Sequence, residues 1–134
     1  MLHGRKHYEL ALSLEPRHPR MAYFSRNNLG FSLIQLARFV EGETWCRAAL
    51  QVNFRLHNAH KNLGLALAGQ GRWREAAQSY LRGTRVDPRD RRSCDLLRRL
   101  LVDHPELEGE FAEPTREASW LVAATHLARA GFCP

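Results

Sequence analysis

The stretch HNAHKNLGLALAGQGRWREAAQSYLRGTRVDPRD, residues 57–90, repeats at a distance of 34 residues the pattern of YFSRNNLGFSLIQLARFVEGETWCRAALQVNFRL, residues 23–56. Asn28-Leu29-Gly30 recurs as Asn62-Leu63-Gly64, and in the same register Leu33 aligns with Leu67, Ala37 with Gly71, Phe39 with Trp73, and Cys46 with Tyr80. A fixed period of this length marks stacked units, each one supersecondary element. Gly64 and Ala76 are small where two antiparallel helices must approach closely, and Leu63, Leu67, Tyr80 and Val86 fill the seam between them. Gly71 lets the chain turn, and Asp87-Pro88 stops the second helix because the residue before a proline avoids the helical region. A helix pair that is apolar on two sides cannot bury both alone and has to stack on a neighbour.

In order, Leu63, Gly64, Leu67, Gly71, Trp73, Ala76, Tyr80 and Pro88 resemble the tetratricopeptide repeat: Leu-Gly in a first helix, a turn Gly, an aromatic, an Ala, an aromatic and a closing Pro. The first copy keeps Leu29, Gly30, Leu33 and Phe39 but has Gly42 for the Ala, Cys46 for the aromatic and Phe54 for the Pro. The resemblance implies an all-α fold, a right-handed α-solenoid of helix-turn-helix repeats. Residues 1–18 read as the second helix of an incomplete N-terminal repeat, 19–56 as repeat 1 and 57–90 as repeat 2. Residues 91–104 read as a partial third repeat, with Arg98 in the small Gly position. Residues 105–113 read as an acidic linker, and 114–134 as a C-terminal capping helix opened by Pro114. An apolar face on residues 2–16 is a candidate homodimer contact.

Composition agrees with a globular chain: 44% hydrophobic and 25% charged over 134 residues. No apolar run approaches the roughly 20 residues that span a bilayer, so the expected place is the cytoplasm. The net charge of +6 is uneven. Residues 1–70 and 71–100 each carry nine Lys or Arg against four Asp or Glu, while 101–134 carry two against six. Cys46, Cys94 and Cys133 fit neither a zinc pattern nor a disulfide framework. His57 and His60 lie three apart on a helix, with no further ligand at metal spacing. Ser93-Cys94-Asp95 has no base or oxyanion donor beside it. The sequence therefore points to no enzyme, no cofactor and no metal.

The resemblance places function on a concave surface formed by the first helix of each pair. Its candidate residues are Phe24, Asn27, Asn28, Phe31 and Gln35 in repeat 1, Asn58, Lys61, Asn62 and Leu65 in repeat 2, and Arg92, Asp95 and Arg99 in repeat 3. Asn side chains can bond an extended peptide backbone, while Lys61, Arg92 and Arg99 suit carboxylates. An acidic peptide or helix of another protein, carrying a bulky apolar residue, is the expected partner. The carboxylate clamp of some co-chaperones of this family is matched at Asn28, Asn62 and Arg92 but not at Phe24 and Leu96. Seven arginines from Arg82 to Arg99 raise a nucleic-acid alternative. Asp87, Asp90 and Asp95 interrupt that run as on a solvated face.

Overall fold

The computed structural model describes residues 19–131. The expected half-repeat at 1–18, its dimer contact and Cys133 lie outside the described residues. Six α-helices follow in order: α1 Pro19–Gln35, α2 Phe39–Val52, α3 His57–Gly69, α4 Trp73–Val86, α5 Arg92–Asp103 and α6 Glu108–Arg129, with a 3-10 turn at Pro105–Leu107 before the last. There is no strand among the described residues. Each helix packs on the next, and α3 also touches α1. The fold is an all-α solenoid.

The 34-residue register is written in the core. Leu29, Leu63 and Leu97 occupy equivalent positions and are all buried, as are Leu50, Thr84 and Ala118 one helix later. A Cβ on Gly64 would stand 2.3 Å from Tyr80 Cε1, so α3 and α4 touch backbone against ring. The equivalent Gly30 meets Cys46, where a Cβ would come within 2.8 Å of Sγ. The first repeat thus lacks a ring, and it compensates with Ile34 in place of Ala68. Ile34 needs Gly42 in place of Ala76, since a Cβ there would lie 2.7 Å from Ile34 Cγ1. Volume is redistributed across the seam, which is what close-packed interiors demand.

The turns also repeat. Gly71 has φ +75°, and Ala37, its equivalent, is held at φ +59°. Arg38 and Arg72 each precede a second helix and each bond the Glu three residues on, Glu41 and Glu75. The third turn cannot follow, because Pro105 stands in that place and a proline ring fixes φ near −65°. The chain tightens into the 3-10 turn instead.

Here the structure corrects the expected linker at 105–113. Glu108 to Glu113 are the first turns of α6, and Pro114 lies inside that helix. Leu107 falls 34 residues after Trp73 and is buried, as is Phe111. These two anchors hold the helix start against the core. Glu108 and Glu110 in its first turn complement the positive end of the helix dipole. Pro114 costs the hydrogen bond that its missing N–H would give to the carbonyl of Glu110, a residue exposed to water. The helix expected as a separate cap packs against both α4 and α5, the place of a second helix in a third pair.

Between repeats, the Ala59 N–H at the start of α3 donates to the Tyr23 hydroxyl at 3.1 Å, satisfying one of the free donors of that helix end. Burial pushes the Tyr23 phenol up to about 12. Glu43 of α2 accepts from Gln70 and Arg72 in the next turn, at 2.9 and 2.7 Å, and from Arg47 at 2.9 Å. Burial alone would raise its carboxyl, but these bonds and charges outweigh it and hold it below the usual range. Trp73, only partly buried, stacks on His104 with ring centroids 4.0 Å apart.

Gly64→Ala is predicted to lower stability by about 1–3 kcal/mol in urea unfolding, the usual cost of overpacking. Tyr80→Ala should cost much less in that background than alone, and strictly additive losses would show that the two groups do not touch. A second expectation concerns His60, which is 1% exposed. Burial holds its ring below the ordinary 6.5. The unfolded chain therefore takes up a proton that the folded chain does not, so this contribution is complete above pH 6.5 and declines below it. Stability should fall from pH 7 to 5, and His60→Gln should flatten that fall. An unchanged slope in the variant would refute it.

Candidate functional site

The first helices α1, α3 and α5 carry the sequence-predicted residues, and the structure divides them into three groups. Phe24, Asn28, Phe31 and Gln35 on α1 are exposed, as are Arg92, Asp95 and Arg99 on α5. Phe24 and Phe31, at 43% and 41% exposure, are open apolar surface seven residues apart on one helix face. Asn58, Lys61 and Leu65 on α3 are half-buried and form the middle of the strip.

Asn27 and Asn62 do not join them. They are buried at 4% and 3% exposure, and the Asn62 amide donates to the Asn27 carbonyl oxygen at 3.0 Å. These two side chains close the α1–α3 contact rather than offering hydrogen bonds to a ligand. The other Asn of the first pair, Asn28, remains open to water. Consecutive residues on a helix point about 100° apart, so only one of two adjacent asparagines can face the surface squarely.

The cationic end of the strip is structured by its own acids. Arg92 donates to both oxygens of Asp90, at 2.6 Å in the closest contact, and to the Asn58 carbonyl oxygen at 3.1 Å. Asn58 and Arg92 are 34 residues apart, so equivalent positions of adjacent repeats are tied together. His57 bridges the same corner, with Nε2 3.0 Å from Asp90 and Nδ1 3.4 Å from Asp87. Arg92 holds the Asp90 carboxyl far below the usual carboxylate range, and Arg89 lowers that of Asp87. His57 and His60, paired on a helix in sequence, are engaged in different directions: the His60 ring bonds the Phe54 carbonyl at 2.6 Å.

Lys61 lies beside this cluster. Burial and the nearby Arg92 charge push its ammonium below its ordinary range, with Asp90 opposing them. It has no hydrogen bond or ion pair among the described residues, although its position is half-buried. A partly desolvated cation that makes no ion pair among the described residues favours binding of an anionic group. The corner of His57, Asp87 and Asp90 was not foreseen in the sequence. Its signal is the Asp87-Pro88-Arg89-Asp90 turn, which follows α4 and so meets the start of the preceding first helix.

A search of the curated proteins supports the repeat reading. Over 81 residues, 60% of this chain, it is 32% identical to the small glutamine-rich tetratricopeptide repeat-containing protein 2 of Mycosarcoma maydis. The matched part is 22% of that protein's length, so the chain spans about a fifth of its relative. No family model matches the chain. No helix among the described residues is long and apolar enough to cross a membrane.

Asn62→Ala is predicted to lower stability by about 1–3 kcal/mol, because it strands the buried Asn27 side-chain carbonyl oxygen. Asn28→Ala should leave unfolding in urea within about 0.5 kcal/mol of the parent, as for other exposed sites. Equal effects would mean that both asparagines share one environment.

Proposed function

We propose that the chain is a protein-binding module, not a catalyst, which takes an acidic peptide or helix along the first-helix strip from Phe24 to Arg99. The observation that carries this reading is Lys61, a half-buried cation with no hydrogen bond or ion pair among the described residues, set between an apolar shelf and a cationic rim. Phe24 and Phe31 offer the shelf for a bulky apolar side chain. Arg99 makes no ion pair among the described residues and can pair a carboxylate bidentately. Arg92 contributes positive charge, but its bonds to Asp90 and Asn58 give it a structural part as well. The likeness to a tetratricopeptide repeat-containing protein supports binding of this general kind, and Lys61 and Arg99 on the strip favour an acidic partner. The cytoplasm is the proposed setting.

Fluorescence anisotropy with labelled decapeptides rich in Asp and Glu, each with one Leu, Phe or Trp, tests the reading. Lys61→Glu with Arg99→Glu is predicted to weaken binding about tenfold or more, the equivalent of roughly 1.4 kcal/mol. Phe24→Ser should weaken the peptides with an aromatic residue most. Both positions are exposed or half-buried and unpaired, so melting temperatures should stay close to the parent value. Undiminished binding by Lys61→Glu/Arg99→Glu, or equal binding of Lys-rich peptides, would contradict the proposal.

A further inference from the structure

A second surface lies between the second helices, built by residues that the peptide strip does not use. A cavity of about 340 Å³ is lined by Arg47 and Leu50 of α2, Phe54 of the turn that follows, His60 and Leu63 of α3, and Arg82 of α4. A neighbouring hollow of about 460 Å³ shares Phe54 and adds Arg55, Arg85 and Val86. Phe54 stands where the closing Pro of a repeat is expected. It is 60% exposed and meets the His60 ring edge-on, with centroids 4.8 Å apart.

The arginine run from Arg82 to Arg99 is thereby sorted. Arg89 and Arg92 are bound by Asp87 and Asp90. Arg82, Arg85 and Arg55 form no side-chain hydrogen bond or ion pair among the described residues, and Arg47 shares Glu43 with Arg72. Open guanidinium groups therefore gather around one exposed aromatic ring.

Within the lining of the smaller cavity, His60 is held in one tautomer. His60 Nε2 lies against the Phe54 carbonyl, which can only accept, so Nε2 carries the hydrogen. The neutral ring then has a lone pair on Nδ1, and that buried atom has no hydrogen-bond partner. That nitrogen is closed to a ligand, so a ligand suited to this surface brings a planar face for Phe54 and an anion for the arginines. A carboxylate side chain has the anion and lacks the planar face. A nucleotide has both in one unit, and the cavity, at about 340 Å³, is at the small end of the ligand range, about 300–1,000 Å³. Bases stack on aromatic and guanidinium planes, and Arg matches phosphate bidentately.

We propose that this surface binds a nucleotide unit, its base in the cavity between Phe54 and Leu63 and its phosphate on Arg82 and Arg85. The unit comes either from a free mononucleotide or from an unstacked position of a single strand. The test uses the full chain, with a fluorescein-labelled ten-nucleotide RNA of mixed sequence in anisotropy and AMP in calorimetry. Phe54→Ala is expected to weaken RNA binding at least about fivefold, the low end for losing one stacked base. Arg82→Ala with Arg85→Ala should weaken it about tenfold or more and flatten its salt dependence. These positions are exposed, so unchanged thermal melting verifies that the variants are folded. Lys61→Glu/Arg99→Glu should bind RNA as the parent does, which keeps this site separable from the peptide strip. AMP binding as tight as RNA identifies the free nucleotide as the source, and RNA binding alone identifies the strand. The proposal is overturned if neither probe binds at 1 mM, if the variants bind like the parent, or if a Glu-rich decapeptide displaces RNA at equal concentration.

Discussion

The close approach of α3 to α4 at Gly64 and Tyr80 is the constraint on which the rest of the molecule depends. Backbone against ring brings the two helices near enough for Leu63, Leu67 and Ala76 to be buried together. Both faces of this pair are then covered, by α2 on one side and α5 on the other. The pair is the centre of the described stack, and the flanking pairs are variations on its geometry. In repeat 1 the ring is replaced by Cys46, and Ile34 with Gly42 restores the packing. In the third pair Arg98 replaces the glycine and is exposed, and Pro114 replaces the ring.

This explains how much of the fold was readable in the sequence. Repeats 1 and 2 could be identified because their small and large residues fall in matched pairs 34 apart. The third pair kept the period but lost the signature residues. Leu97, Leu107 and Ala118 fill buried positions equivalent to Leu63, Trp73 and Thr84, yet Pro105 and the four glutamates of residues 105–113 looked like a loop. Anchoring of Leu107 and Phe111 in the core overrides that local composition. At the peptide strip, the residue types were readable and their orientation was not. Asn27 and Asn28 are adjacent and identical, and only tertiary packing decides that the first bonds Asn62 while the second meets water.

Charge is distributed by the same repeat geometry. At the strip, Asp87 and Asp90 gather His57, Arg89 and Arg92 into a corner that fixes the junction of repeats 2 and 3. Lys61 stands beside this corner without joining it. On the other side, arginines surround Phe54, and among the described residues Glu43 is the acid that pairs with one of them, Arg47. A linear sequence mixes these groups in one basic run, and the fold separates them by helix face. Exposed charges of this kind add little to stability, so their arrangement is free to serve binding.

The continuity of the solenoid through its third pair is tested most directly by amide hydrogen exchange read by mass spectrometry. A stack centred on α3 and α4 and continued by α6 predicts slowest exchange in residues 59–67 and 76–84, with clear protection extending over 109–113. Free exchange across 109–113, with protection beginning only after Pro114, would contradict it and restore an unstructured linker between a two-repeat stack and a separate cap.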